Sequence, residues 1–195
     1  MRRSAYMEKI SLGPQTFIPM TVALLGATVE GKPNFMTVGW ISRVNYLPPM
    51  IAVSVNKEHY TPLGINSHAS FSISLPGADL VAKTDYCGIV SGRNADKSKV
   101  FDVFYGELKS APMIKECPLC LECKLVDVIP LPTNNLYIGE IIGAYSEDLY
   151  LTDGKPDFKK MNPLFLTMPD NQYWKVGDFV EKAWCVGRML KEGGN

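Results

Sequence analysis

The residues best suited to redox chemistry stand together at "CPLCLEC", Cys117 to Cys123. Three cysteines spaced three apart, with a proline after the first, match most of the run that holds a bacterial-type iron–sulfur cluster. That compact run puts its last thiolate four positions after the third. Position 127 is Asp127, and only Cys87 and Cys185 remain as distant candidates. Two other readings suit the spacing. One is a reversible Cys117–Cys120 disulfide. The other is a period-two strand with Leu121, Cys123 and Leu125 on one face and Glu122 and Lys124 on the other.

Three further stretches carry chemistry of a different kind. In "DYCGIVSGRNADK" (Asp85–Lys97), Ser91, Gly92, Arg93 and Lys97 can fold amides and cations around a phosphate. In "SVNKEHYTP" (Ser54–Pro62), a strand gives way to a helix whose cap is Thr61 and whose first residue is Pro62. Free N–H groups at such a start form an anion site. In "NFMTVGWIS" (Asn34–Ser42), Gly39 inside a strand marks close approach by a backbone or a ligand, with Thr37 and Trp40 beside it. Each has a plainer alternative: a solvated loop, an ordinary helix cap, a strand with a glycine bulge.

Motifs of other chemistries are missing. There is no GxxxxGK[ST], no GxGxxG, no HExxH and no GxSxG, and the histidines number two, His59 and His68. A chain so poor in catalytic motifs becomes an enzyme when an organic cofactor brings the reactivity.

These residues must be positioned by a chain of 195 residues, enough for one domain with a real core. Twenty basic residues balance twenty acidic ones, so composition gives no footprint for nucleic acid or an anionic membrane. No apolar run approaches membrane-spanning length, and "MRRSAYMEKI" lacks the apolar core of a secretory signal. The expectation is a cytoplasmic protein. Five cysteines, an odd number, then read as free and largely buried thiols.

The elements are mostly strands. Phe17–Val29 and Phe35–Val44 read as a hairpin around the turn "EGKPN", and Met50–Val55 as a third strand after the break at Pro48–Pro49. "HYTPLGINSHA" reads as a short helix, Ser70–Pro76 as a half-buried strand, and "GADLVAKTDYCGIVSG" as a helix ending near Cys87–Gly88. Asp96–Phe104 reads as another short helix. "CLECKLVDVIPLP" and "NLYIGEIIGAYSEDLYL" read as long strands joined by "TNN". From Met161 the chain is rich in Pro, Gly and aromatic residues and reads as an arm with no place in a sheet. Long antiparallel strands with few helices point to a closed or nearly closed barrel.

Taken in order, these stretches resemble the flavin reductase-like family of FMN-binding split barrels, which includes the flavoredoxins. The likeness runs from about Pro14 to about Asp178. Its most specific piece is the D-x-C-G-x-x-S-G-R-x-x-D-K pattern at Asp85–Lys97, supported by "NFMTVGWIS", "PPMIAVSVNKEHYT", "ECPLCLECKLVDVI" and "NLYIGEII". The resemblance implies a mainly β, Greek-key split β-barrel over about 14–160, a C-terminal arm over 161–195, and a single domain over 1–195. It implies a homodimer with one FMN per subunit. Thr37, Val38, Gly39 and Trp40 would line the isoalloxazine, and Ser54, Val55, Tyr60 and Thr61 the tail. Cys87, Gly88, Ser91, Gly92 and Lys97 would form the second wall, with Ser91 and Lys97 near phosphate.

No side chain need be catalytic in the strict sense, and no metal is expected. The leading expectation is an NAD(P)H-dependent flavin or ferric/acceptor reductase with hydride passing to flavin N5. The alternative is a flavoredoxin-type electron carrier serving a redox partner. A third reading is a protein binding another cofactor, such as haem or an iron–sulfur cluster. Neither nucleic acid nor membrane is an expected partner.

Overall fold

The structure, a computed structural model, describes residues 9–188 and residue 190. The start read above for a leader and the last residues of the arm lie outside the described residues.

Alternating apolar residues become sheet. The first strands are β1 (Met20–Thr21), β2 (Ala23–Val29), β3 (Lys32–Val38), β4 (Ile41–Asn45) and β5 (Met50–Asn56). Helix α1 (Thr61–His68), β6 (Ser70–Leu75) and α2 (Val81–Ile89) follow. Then come β7 (Val103–Phe104), β8 (Met113–Ile114), β9 (Leu119–Pro130) and β10 (Asn134–Tyr145). The chain ends with β11 (Leu151–Thr152), β12 (Lys155–Pro156), α3 (Phe158–Met161), β13 (Leu164–Thr167) and β14 (Gln172–Lys175). Among the described residues, no helix is long and apolar enough to cross a membrane.

Seven strands form one antiparallel sheet in the order β3-β2-β6-β9-β10-β5-β4. Its two end strands, β3 and β4, are consecutive in sequence and joined only by Gly39 and Trp40. Three Cα steps reach at most about 11 Å, so the sheet must curl until its edges meet. The result is a barrel split along a seam with no ladder across it. The single strand expected over Phe35–Val44 is therefore two. The reason lies at Gly39, where a Cβ would come within 3.3 Å of the Met20 side chain. Glycine lets β1 pack against the seam where the strand breaks.

The turn between β2 and β3 is also tighter than expected. Glu30 and Gly31, both at positive φ, make it alone, and Lys32–Asn34 belong to β3. Pro33 is tolerated there because β3 is an edge.

Strand alternation feeds two cores. Leu25, Val53, Phe71, Ile73 and Tyr137 fill the barrel interior. Leu24, Phe35, Phe101, Met113 and Ile114 pack in a second cluster. The segment leading into that cluster is not the helix expected over Asp96–Phe104. Asp96 caps a single 3-10 turn, Lys97–Lys99, by accepting from the Ser98 N–H at 2.9 Å. Val103 and Phe104 then pair with Ile114 and Met113.

"CPLCLEC" opens β9 and is divided between the cores. Cys123 faces the barrel interior, whereas Cys117 and Cys120 lie in the second cluster. Among the described residues, no three metal-ligating side chains converge.

The tail corrects a further expectation. Rather than standing apart from any sheet, β13 and β14 join β1 in a three-stranded sheet, with Met20 opposite Leu166 and Leu166 opposite Tyr173. From Gly177 to Arg188 the chain is exposed, with Trp184 at 91 %.

Candidate functional site

The seam opens into a groove made of adjoining cavities. The first, about 420 Å³, is lined by Thr37, Val38, Gly39 and Trp40 on one side and by Ser54, Val55 and Asn56 on the other. Met20, Leu166 and Met168 of the small sheet close it. The second, about 240 Å³, runs between the start of α1 (Tyr60, Thr61) and the end of α2 with its loop (Cys87, Gly88, Ser91, Gly92, Lys97). Met36, Thr37 and His59 line both. A third, about 330 Å³, continues from Tyr60, Gly92 and Lys97 toward Arg93 and the Lys32–Asp96 ion pair. Ser54 and Val55 line the cavity at the Thr37–Trp40 end, and Tyr60 and Thr61 line the adjoining one.

Close packing positions the second wall. A Cβ on Gly88 would stand 3.3 Å from that of Thr37, so α2 can lie directly on β3. A Cβ on Gly92 would collide with Asn34 and Tyr60. Arg93, next along, places its guanidinium over the Tyr60 ring at 5.3 Å.

The groove's hydroxyls differ in what they have left to give. Thr37 donates to the Thr84 carbonyl, which ties β3 to α2. Thr61 instead accepts from the Asn34 amide at 2.8 Å, and Ser54 from the Asn134 amide at 3.1 Å. Both therefore keep their own O–H to donate into the groove. Thr61 is not the cap expected of it. It is the first residue of α1, and the cap position is Tyr60, with no side-chain bond across the helix start. At the start of α1, Pro62 has no N–H and Leu63 donates its own to the Tyr60 carbonyl at 3.1 Å, with no capping side chain across them.

Lys97 is 3 % exposed and donates to the Phe35 carbonyl at 3.0 Å and the Cys87 carbonyl at 2.9 Å. One of its three N–H bonds remains. Burial pulls this lysine below its ordinary pKa. Burial raises the Cys87 thiol, against a smaller lowering by Lys97, so Cys87 faces the groove neutral. Desolvation and the Lys97 charge both lower His59, whose imidazole is therefore neutral at pH 7.

The donor set fits FMN. At the loop end, Thr61 O–H, the start of α1, Lys97 and Arg93 suit an anionic tail. At the seam end, Met20, Met36, Leu166, Met168 and a half-exposed Trp40 suit a flat ring, with the broken strand at Gly39 supplying backbone. Sequence reasoning missed Met20, Leu166 and Met168, because β1 and β13 carry no local motif. It also left out Asn34 and Asn134, which act by orienting hydroxyls.

Comparison with known proteins bears on the family and the fold. Residues 16–157 match the family described as flavin reductase like domain. The structure is similar to flavoredoxin from Methanosarcina acetivorans, with a TM-score of 0.93 and 59 % identity over 94 % of this chain and 100 % of that one. It is also similar to flavoredoxin of Desulfovibrio vulgaris (Miyazaki F), with a TM-score of 0.86 and 34 % identity over 93 % and 100 %. In sequence it is 24 % identical to the reductase component of a 4-nitrophenol 4-monooxygenase/4-nitrocatechol 2-monooxygenase from Rhodococcus opacus, over 63 % of this chain and 64 % of that one. The match over most of the chain and the split barrel together place this protein in the flavin reductase-like family.

Proposed function

We propose that this chain holds FMN along the groove and works as an oxidoreductase between NAD(P)H and a small acceptor such as free flavin or a ferric chelate. The observation that carries this reading is the polarity of one continuous groove. It is apolar and open at the seam, and rich in N–H and O–H donors with two cations toward the loop. The chemistry FMN supplies when bound is hydride acceptance at N5 and onward delivery of electrons.

The protein's part is to bind and orient. Lys97, Thr61 and the 88–93 loop fix the anionic end. Gly39 and its neighbours, with Met20 and Leu166 opposite, keep the flat end in register and shielded on one side. Trp40, half exposed and stacked on Phe17 at 6.4 Å, borders the open side where a second ring can approach. Exposed Val44, Tyr46 and Leu47 around the β4–β5 turn offer an apolar patch to a second copy of the chain, in keeping with a homodimer.

A second reading is an FMN electron carrier serving a protein partner. The likeness to two flavoredoxins favours it. One experiment separates the two: the visible spectrum of the purified protein, followed by addition of NADH or NADPH without oxygen. Flavin bands that bleach support the reductase. Flavin bands that persist support the carrier. Protein that is colourless and takes up no added FMN overturns both.

A further inference from the structure

The three-stranded sheet is not part of the barrel, yet it closes the seam end of the groove. Its cross-strand register puts Met20, Leu166 and Tyr173 in one row, Met20 opposite Leu166 and Leu166 opposite Tyr173. Residues directly opposite in antiparallel pairs share a face of the sheet. Met20 and Leu166 line the groove on that face. Tyr173, next in the row, donates its hydroxyl to Asp85 of α2 at 2.9 Å. Asp85 lies one helical turn before Gly88 and Ile89, which line the second cavity. One hydrogen bond therefore joins the two walls of the groove at their junction.

The hairpin's other attachments run along its inner strand, where β1 pairs with β13 from Thr21–Phe165 to Met20–Leu166. Val22 N–H donates to the Leu164 carbonyl and Ala78 N–H to the Asn162 carbonyl, both at 3.0 Å, and Pro163 bridges Gly77. Met168, which lines the groove, stands beyond Leu166 toward the hairpin turn. The outer strand β14 is tied across to α2 through Tyr173, so this bond bears on how closely the hairpin lies over the groove. Burial and the Asp85 contact push the Tyr173 hydroxyl to about 12, so it remains a donor across the neutral range.

We propose that Tyr173, through Asp85, is a positioning residue that holds the 164–175 hairpin as the apolar cover of the flavin ring, setting how fast FMN leaves and how exposed it is. This rests on the reading that FMN occupies the groove.

The test uses the full-length FMN-loaded protein. Release of FMN on dilution is followed by recovery of free-flavin fluorescence, and exposure of the bound ring by acrylamide quenching. Tyr173→Phe and Asp85→Ala should each speed release about five- to tenfold and increase quenching. The double variant should be no worse than either single one. Asp85→Asn, which keeps an accepting oxygen, should stay close to the parent. If both single variants lower the melting temperature but leave release and quenching unchanged, the tie is structural only and the inference is overturned. If the parent protein binds no FMN, the groove reading fails and this inference with it. If Asp85→Asn releases FMN as fast as Asp85→Ala, the hydrogen bond is not the cause and the inference is again overturned.

Discussion

Two charged side chains are fully buried among the described residues, and they are satisfied in mirror fashion. Lys97 gives its ammonium protons to two backbone carbonyls. Glu122, at 0 % exposure, takes backbone N–H bonds from Glu107 at 3.1 Å and Leu108 at 2.9 Å, together with the Tyr145 hydroxyl. Burial alone would raise the Glu122 carboxyl, but these donors outweigh it and hold it below the usual glutamate value. The difference lies in what each leaves over. Glu122 stands away from the groove, and its partners tie the 106–108 loop to β9 and β10. Lys97 lines the groove and keeps one N–H unclaimed. The same device, a buried charge on backbone partners, ties a loop in one place and lines the groove in the other.

The sharpest way to break this comparison is Glu122→Ala. It strands two amides and a tyrosine hydroxyl, and should cost about 3 kcal/mol or more of stability. Denaturant unfolding would measure it, with FMN affinity of the folded fraction unchanged. A large loss of affinity without loss of stability would erase the distinction.

Lys97→Ala should do the opposite in emphasis. It should weaken FMN binding by about 1–3 kcal/mol, measured by titrating apoprotein with FMN. An unchanged dissociation constant would remove Lys97 from the site.

The two groups also differ along the pH axis. Glu122 has a lowered folded pKa. Its contribution is complete above the unfolded glutamate value of about 4.3, and is lost as pH falls through the folded value. Lys97 also has a lowered folded pKa, so the unfolded chain holds that proton longer. Apoprotein stability should rise with pH just below the ordinary lysine value of about 10.4. FMN affinity should fall over that range as the ammonium is lost. Both alkaline trends should flatten in Lys97→Met, read by unfolding and by FMN titration.

The smallest effect is expected at Arg93→Ala. This guanidinium is exposed over Tyr60, so its loss should weaken FMN binding about two- to threefold, less at high salt.

Much of this was legible in the sequence, and unevenly so. The pattern at Asp85–Lys97 and the resemblance it carries lead to the expectation of Cys87, Gly88, Ser91, Gly92 and Lys97 on one wall, and these residues line one cavity. The alternation along β9 told which residues share a face. It could not tell that Cys120 and Glu122 face a second buried layer rather than water, because that depends on segments from elsewhere in the chain. The loop and the resemblance put Lys97 forward as a cation for a phosphate, but not as a buried side chain. Its two carbonyl partners come from β3 and α2, so no local pattern announces them. The β13–β14 hairpin was hidden for the same reason. Its partner β1 is two residues long, and it lies more than a hundred positions away.

The seam also bears on how the barrel is assembled. β3 and β4 stand at opposite ends of the strand order, yet Gly39 and Trp40 make them neighbours along the chain. Closing a ring normally requires its two ends to find each other through a long loop, at an entropic cost that grows with the residues between them. Here that loop is two residues. The long-range search is left to the central pairings, such as β6 with β9 and β5 with β10. Once these ladders form, the last closure adds almost no search, and the slow step of folding should lie in the middle of the sheet rather than at its edges.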